Sequence, residues 1–161
     1  MLSTGSFLGI NQPEAFQNPY IFHLSYGPTM RTNAFEIVAR YVYPSLRRRL
    51  VEILREKGLK QTEIAGLLHI TQSAVSRYLK MDRGALIDVT KFPDIDEKLK
   101  VLADEIISRR PSEYEIHLGL VQVSLEMLGR GYVCSFHSKI DPELDPMKCR
   151  ICLELFENLA F

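Results

Sequence analysis

Apolar residues recur at helical spacing in two short runs between residues 59 and 84. The first run contains Ile64, Ala65, Leu67 and Leu68, and the second contains Val75, Tyr78 and Leu79. Residues three and four apart lie on one face of an α-helix, so each run predicts a short amphipathic helix. Ile70 lies between the runs, where it can fill the corner between two crossing helices. The pattern predicts a helix-turn-helix whose second helix covers residues 71–81.

The polar residues of the second helix fall on the side opposite to its apolar face. They are Gln72, Ser73, Ser76, Arg77 and Lys80, and Thr71 precedes them as a hydroxyl N-cap. The DNA major groove admits one α-helix and offers donors and acceptors on its base edges. In this motif the second helix places its N-terminal residues against those edges. An ordinary helical hairpin in an all-α domain is the alternative.

The predicted contacts divide into two sets. Gln72, Ser73 and Ser76 lie nearest the start of the second helix, and we expect them to contact bases. The set expected at phosphates, which fix register without carrying sequence information, comprises Gln61, Arg77 and Lys80. Thr71 completes the predicted DNA-binding residues as the cap.

The corner between the two helices requires a residue that tolerates a positive φ. Glycine is the usual choice, whereas this chain has His69. Histidine adopts that region less easily than glycine but more easily than a branched residue. His69 is therefore a departure from the expected pattern.

The preceding residues predict supporting helices. Residues 34–43 predict a short helix, and Pro44 opens the next one at its first turn, where proline is tolerated. Leu46, Leu50, Ile53 and Leu54 repeat at helical spacing. Gly58 is placed to end this helix. Residues 47–49 are three consecutive arginines, which cannot all face inward, so some should face solvent or phosphate.

Residues 92–131 predict a helical support or dimerisation region. A helix beginning at Asp94 or Asp96 should end at Pro111. Ser112 and Glu115 form a capping-box signature for the next helix. Residues 113–128 fit both a strand and a helix, and their length favours a helix. Its apolar surface is wide, which indicates deep burial or a dimer interface.

The charge distribution and the composition limit the classes of protein to which this chain can belong. The net charge is zero, but residues 35–91 carry eleven Lys and Arg against six Asp and Glu, whereas residues 92–161 carry eight against thirteen. The positive excess covers the helix-turn-helix, as phosphate attraction requires. No apolar run is long enough to span a membrane. The N-terminus lacks signal-peptide features, so we expect a cytoplasmic protein.

All three cysteines lie near the C-terminus and are accompanied by a histidine. The set is Cys134, His137, Cys149 and Cys152, a C-x2-H pair and a C-x2-C pair eleven residues apart. Four such donors suit tetrahedral Zn²⁺. Cysteines at this spacing in an intracellular chain favour a metal over a disulfide. An iron–sulfur cluster, a redox pair of Cys149 and Cys152, and inert buried thiols are the alternatives.

The chain thus divides into four predicted parts. Residues 1–33 are an irregular N-terminal extension, in which Met30 is a second candidate start. Residues 34–91 form the helix-turn-helix domain, and residues 92–131 form the support region. Residues 132–161 form a metal-binding tail. The predicted fold is all-α.

Two stretches resemble a known family: FEIVARYVYPSLRRRLVEIL and GLKQTEIAGLLHITQSAVSRYLKMDRG. They resemble archaeal predicted transcriptional regulators with an Xre-like helix-turn-helix, of the lambda-repressor type, and a C-terminal cysteine pair. Some relatives are fused to a thiamine-phosphate synthase domain. The resemblance covers residues 34–153 and implies DNA binding in an archaeal cytoplasm. His69 departs from the glycine usual in the family.

The leading hypothesis is a sequence-specific transcriptional regulator that binds double-stranded DNA as a homodimer. The second is a dithiol oxidoreductase using Cys149 and Cys152. No βαβ pattern, catalytic triad, paired carboxylates or glycine-rich phosphate loop supports an enzyme, so we expect none. The third is a protein-interaction module that no longer binds DNA, against which the basic charge and the polar helix face argue. The sequence names no operator and no effector.

Overall fold

The structure, a computed structural model, describes residues 31–156. Within that range every regular element is helical and no strand occurs, which confirms the predicted all-α fold with a helix-turn-helix. The helices are α1 (Ala34–Ile37), α2 (Tyr43–Glu56), α3 (Gln61–Leu67), α4 (Gln72–Leu79), α5 (Pro93–Arg109), α6 (Glu113–Gly129), α7 (Cys134–Ile140) and α8 (Ile151–Phe156), with a π-helical turn at Val38–Val42 and a 3₁₀ turn at Val89–Lys91. The predicted N-terminal extension lies almost entirely outside the described residues.

The first helical run is continuous through Pro44. Asn33 caps it by accepting hydrogen bonds from the backbone N–H groups of Phe35 and Glu36, at 3.0 and 3.1 Å. The π-helical turn then joins α1 to α2, and the Tyr43 N–H donates to the Val38 carbonyl five residues back. Pro44 has no N–H to donate, and the wider turn joins the two helices without a break. The two predicted helices are therefore one helix with a local π turn.

Helix α2 is the centre of the bundle, and α3, α4, α5 and α6 pack against it. Its side chains Leu46, Leu50, Val51 and Leu54 are fully buried. Burying one such side chain contributes about 1.5–3 kcal/mol, so α2 supplies much of the core. Gly58, at φ +90°, ends the helix as predicted. A single apolar core extends from Ala34 to Val133.

The corner between α5 and α6 follows the predicted signals closely. Pro93 begins α5 at its first turn, one residue before the expected start. Arg110 ends the helix in the left-handed conformation at φ +49°, and Pro111 follows. Ser112 and Glu115 form the predicted capping box. Residues 113–129 are helical, which settles the strand-or-helix ambiguity.

The C-terminal helices close one end of the bundle. Helix α8 packs on α6 so closely that a Cβ at Gly129 would lie 2.6 Å from the Phe156 carbonyl oxygen. Helix α7 is fixed to the chain before α1 by hydrogen bonds described below. Among residues 31–156 no helix is long and apolar enough to cross a membrane.

Candidate functional sites

Helix α4 presents a polar face to solvent. Val75 and Tyr78 point into the core and are buried. The predicted contact residues Gln72, Ser73, Arg77 and Lys80 are exposed, and Ser76 is half-buried. Gln61, the first residue of α3, is also half-buried. The outer face of α4 is therefore polar and accessible, and the DNA contacts assigned to it stay predictions.

The start of α4 is fixed by its own hydroxyl groups. Thr71 Oγ1 accepts a hydrogen bond from the Ala74 N–H at 3.2 Å, which is the predicted cap. The hydroxyl groups of Thr71 and Ser73 also share a hydrogen bond of 3.0 Å. Thr71 therefore orients the helix, whereas Gln72 has no such local partner in the described part of the chain.

The two helices of the motif end in the same way. His69, after α3, has φ +53°, and Met81, after α4, has φ +62°. The Ile70 N–H donates to the Ala65 carbonyl at 3.0 Å, and the Asp82 N–H to the Arg77 carbonyl at 3.0 Å. These left-handed caps satisfy carbonyls at the helix ends. The corner thus demands the positive φ anticipated at His69.

A basic residue that the sequence reasoning missed lies beside α4. The guanidinium carbon of Arg83 is 5.4 Å from the centre of the Tyr78 ring, in a cation–π arrangement. Arg83 is exposed and follows the left-handed Met81. Its position near the end of α4 adds a positive charge close to Arg77 and Lys80 in the sequence. The pattern offered no signal for Arg83, because its place depends on the turn after the helix.

Two of the three consecutive arginines face inward. Arg49 is buried, and its Nε lies 2.6 Å from Asp96 Oδ1 on α5. Its Nη1 lies 2.7 Å from Glu56 Oε1. Burial raises the pKa of Asp96, but hydrogen bonds from Arg49 and Lys100 outweigh it and hold that pKa below its ordinary value. This network joins α2 to α5 and leaves Arg47 as the member nearest solvent.

Arg48 is buried with weaker pairing. Its Nε is 3.3 Å from Glu52 Oε1, and its Nη1 has no hydrogen-bond partner among residues 31–156. Neither Arg48 nor Arg49 is therefore placed at a surface where DNA phosphate could reach it. Only Arg47 keeps the role in solvent or phosphate contact that the sequence suggested for part of this run.

The predicted metal ligands lie in one region of the fold. Cys134, His137 and Cys152 line a small cavity of about 10 Å³ together with apolar side chains of α1 and α6. The nearby Cys149 adds to burial in raising the pKa values of Cys134 and Cys152. All three cysteines are free thiols and partly buried. Burial, reinforced by Cys134 and Cys149, raises the pKa of Cys152 to about 11.

His137 is held by a backbone carbonyl. Its Nε2 lies 2.8 Å from the Thr32 carbonyl oxygen. Because that oxygen can only accept, Nε2 donates its proton in this hydrogen bond. Asp141 holds the other side of the same segment, since its Oδ2 accepts the N–H groups of Arg31 and Thr32 at 2.6 and 3.1 Å.

The gathered residues do not form a metal-binding arrangement. Across residues 31–156 no group of three or more His, Cys, Asp or Glu side chains is placed to hold a metal ion. Side chains that line the same cavity need not point at one position, as the ligands of a metal ion must. Metal binding at Cys134, His137, Cys149 and Cys152 stays a prediction.

The helix-turn-helix resembles a known type of regulator. A family model described as bacterial regulatory protein, arsR family, matches residues 44–81. The match covers α2, α3 and α4 with every predicted DNA-contact residue, but it is a minority of the chain. Comparisons with curated proteins and with solved structures gave no match. The match supports a DNA-binding transcriptional regulator, while the assignment to an archaeal Xre-like family stays a prediction.

Proposed function

We propose that this chain regulates transcription by binding a specific sequence of double-stranded DNA, with α4 in the major groove. The observation that carries the proposal is the division of α4 into two faces. Val75 and Tyr78 are fixed in the core, and the fully exposed side chains of α4, those of Gln72, Ser73 and Arg77, are all polar. A polar helix face beside exposed basic residues is what groove binding requires. We assign the chain no catalytic step.

The side chains divide into roles by their position on α4. Gln72, Ser73 and Ser76 lie near its N-terminal end and contact base edges, with the Gln72 amide suited to adenine. Residues assigned to the phosphate backbone are Gln61, Arg77, Lys80 and Arg83. Thr71 orients the helix through its cap. In this arrangement the phosphate contacts fix the register and the base contacts give specificity.

The experiment is selection of binding sites from a random duplex library, followed by fluorescence-anisotropy titration of the enriched and a scrambled duplex. Gln72→Ala should weaken binding to the enriched duplex by about 1–3 kcal/mol and leave the scrambled duplex unchanged. Ser135→Ala, exposed on α7, is the matched control and should change neither. Failure of the wild type to enrich any sequence would contradict the proposal.

We also propose that the regulator is a homodimer joined through α5 and α6. The exposed apolar side chains Val101, Leu118 and Val121 lie on these helices. Between the helices a groove of about 620 Å³ is lined by Leu102, Gly119 and Val123, among others. Helix-turn-helix dimers bind two half-sites about 34 Å apart. A second copy on this face would cover apolar surface and supply the second α4.

Sedimentation equilibrium tests the dimer. The wild type should be dimeric, and Leu118→Glu should be monomeric because it places a charge on the apolar face. Leu86→Glu is the control, since Leu86 is even more exposed than Leu118 but lies outside α5 and α6. A monomeric wild type, or a dimer unaffected by Leu118→Glu, would contradict this interface.

A second candidate function is a metal site at Cys134, His137, Cys149 and Cys152. The observation in its favour is that three of these residues line one cavity while the fourth lies beside them. Metal-bound histidines commonly donate their second N–H to a backbone carbonyl, as His137 does to Thr32. Zinc is the proposed ion, an iron–sulfur cluster is the alternative, and a Cys149–Cys152 redox pair is the reading without a metal.

Elemental analysis and visible absorption of protein purified without air distinguish these readings. Near-stoichiometric zinc in a colourless protein supports the first, and iron in a brown protein supports the second. His137→Gln should lower the metal content, whereas His117→Gln, on α6, should not. Three titratable thiols with neither metal would contradict the site, and a Cys149–Cys152 disulfide formed by diamide would then support the redox pair.

A further inference from the structure

A cleft of about 560 Å³ lies between the helix-turn-helix and the corner that joins α5 to α6. Leu59, Glu63, Gly66, Leu67 and His69 line it on the helix-turn-helix side. Ile107, Arg110 and Pro111 line the opposite side. Its volume lies within the range of about 300–1,000 Å³ that is common for small-molecule pockets. The cleft is separate from the outer face of α4 and from the cysteines.

Two helix ends meet at this cleft. In the described range only three residues other than glycine have a positive φ, and two of them, His69 and Arg110, line it. Both residues are the left-handed caps that end α3 and α5, which is a common way for a helix to end. These two helix ends place His69 and Arg110 on the wall of the cleft.

The polar groups of the cleft define the kind of ligand. Arg110 and His69 are exposed, and within residues 31–156 neither side chain has a hydrogen bond or ion pair. The Glu63 carboxylate is already engaged, since its Oε2 accepts the Lys60 N–H at 2.6 Å. A guanidinium group without a partner is suited to bind a carboxylate through two parallel hydrogen bonds. The neighbouring walls, Leu67 and Ile107 among them, are apolar.

We propose that this cleft binds a small organic carboxylate with an apolar body, which acts as an effector of DNA binding. Arg110 binds the carboxylate, His69 lies beside it, and the apolar body packs against Leu67 and Ile107. His69 directly precedes Ile70 and Thr71, the cap of α4. A ligand that fixes His69 thereby fixes the start of α4. The regulatory part of this inference rests on the proposed function as a DNA-binding regulator.

The probe for the binding step is 4-phenylbutanoate, compared with 4-phenylbutan-1-ol and 4-phenylbutylamine, which keep the body and change the head group. In ¹H–¹⁵N correlation spectra the carboxylate should shift the amides of Gly66, His69 and Arg110 in a saturable way. Its affinity should exceed that of the alcohol and of the amine by tenfold or more. Equal affinity for the acid and the alcohol would overturn the carboxylate assignment.

Matched variants test the residue assigned to the head group. Arg110→Asn removes the charge but keeps a residue that tolerates the left-handed conformation, so the corner should fold normally. It should weaken binding of the carboxylate at least tenfold. Arg109→Gln removes the neighbouring charge, which pairs with Glu115 at 3.6 Å, and should leave binding unchanged. Full affinity in Arg110→Asn would overturn the site.

The regulatory step has a separate readout. Saturating 4-phenylbutanoate should change the affinity for the selected duplex at least twofold in the wild type and not in Arg110→Asn. Saturable binding of the carboxylate without any change in DNA affinity would overturn the effector role. A protein that binds the carboxylate but no DNA would instead refute the proposed function, so the two failures are distinguishable.

Discussion

The helix-turn-helix and the cysteine cluster differ in how far the spacing of their residues determines their structure. In the first region the spacing of Val75 and Tyr78 determines which face of α4 is buried, and the structure agrees. In the second, the two x2-spaced pairs lie in the same region, but among residues 31–156 no three of their side chains are gathered at one point, and metal binding stays a prediction. A helix face is a local property of three or four residues. Convergence of four ligands depends on how separate segments pack.

The two regions also differ in how they are held. Helix α4 is anchored by fully buried side chains in a core centred on α2. Helix α8 has no fully buried residue and lies against α6. A substitution that removes packing should therefore destabilise the core around α4 in the first region. In the second region it should separate α8 from α6. The following changes test that difference.

Tyr78→Ala should have the largest effect. Tyr78 is 1% exposed and joins α4 to the core, and removing such an aromatic side chain lowers the free energy of unfolding by about 3–5 kcal/mol. Chemical denaturation monitored by circular dichroism measures the loss. Tyr78→Phe keeps the ring, leaves no cavity of its size and should therefore cost much less. A loss below 1 kcal/mol for the alanine variant would mean that α4 is not anchored by this core.

The same glycine-to-alanine change should have opposite effects in the two regions. At Gly129 a Cβ would lie 2.6 Å from the Phe156 carbonyl, so Gly129→Ala should separate α8 from α6 and destabilise the protein by about 1–3 kcal/mol. Hydrogen exchange should then increase in residues 151–156. Gly66 in α3 has open space around its Cα, so Gly66→Ala should stabilise by about 0.5–1 kcal/mol. Equal changes in the free energy of unfolding for Gly129→Ala and Gly66→Ala would contradict this difference between the two regions.

Asp96→Asn tests the ion pair that joins α2 to α5. Removing its charge leaves Arg49 less well paired and should lower the free energy of unfolding by about 1–3 kcal/mol at pH 7. The pKa of Asp96 is lower in the folded protein than in the unfolded chain. Its contribution is therefore complete above the unfolded pKa of about 3.9 and is lost as pH falls through the folded pKa.

The measurement for this pair is denaturation of wild type and Asp96→Asn from pH 7 to pH 3. The difference between the two should stay constant down to about pH 5 and narrow below about pH 4. Glu97→Gln, an exposed neighbour on α5, is the control and should show a much smaller difference. A difference that grows as the pH falls would contradict the assigned direction.

Lys80→Ala should have the smallest effect, and it tests only the DNA contacts of the outer face of α4. It should lower the affinity for every duplex and reduce the slope of log affinity against log salt by about one unit. Arg83→Ala should do the same if its place beside Tyr78 holds it near phosphate. Lys139→Ala, on α7, is the control. An unchanged slope would remove Lys80 from the phosphate contacts.

Local signals predicted most of the helices and the corner. The capping box of Ser112 and Glu115, the end of α2 at Gly58 and the cap at Thr71 each depend on neighbours within four residues, and all are present. The corner at His69 has the positive φ that its position requires. Residues 113–129 were ambiguous because their apolar positions fit both periods. In the structure Ile116, Leu120, Val123 and Met127 are buried at helical spacing, whereas Leu118 and Val121 on the other face are exposed.

Features that depend on distant residues were not predictable. Arg49 is buried because Asp96 and Glu56 meet it, and nothing in three consecutive arginines identifies those partners. The cleft at His69 forms only because the end of α5 lies opposite α3. For the cysteines, spacing indicated which side chains share a region. Their final positions depend on how α7 and α8 dock.

The π-helical turn at Val38–Val42 has a consequence for the register of the chain. Ile37 and Val42 are both buried although they are five positions apart. In an α-helix, at about 100° per residue, such a pair would point about 140° away from each other. The wider turn acts as one inserted residue that restores the alignment. If the turn became a regular α-helix with no residue removed, everything before it would rotate by about 100°, so that Ala34 and Ile37 would leave the core and Thr32 would no longer meet His137 and Asp141. Deleting one residue there would instead leave a regular helix that keeps this pair on one face, about 40° apart.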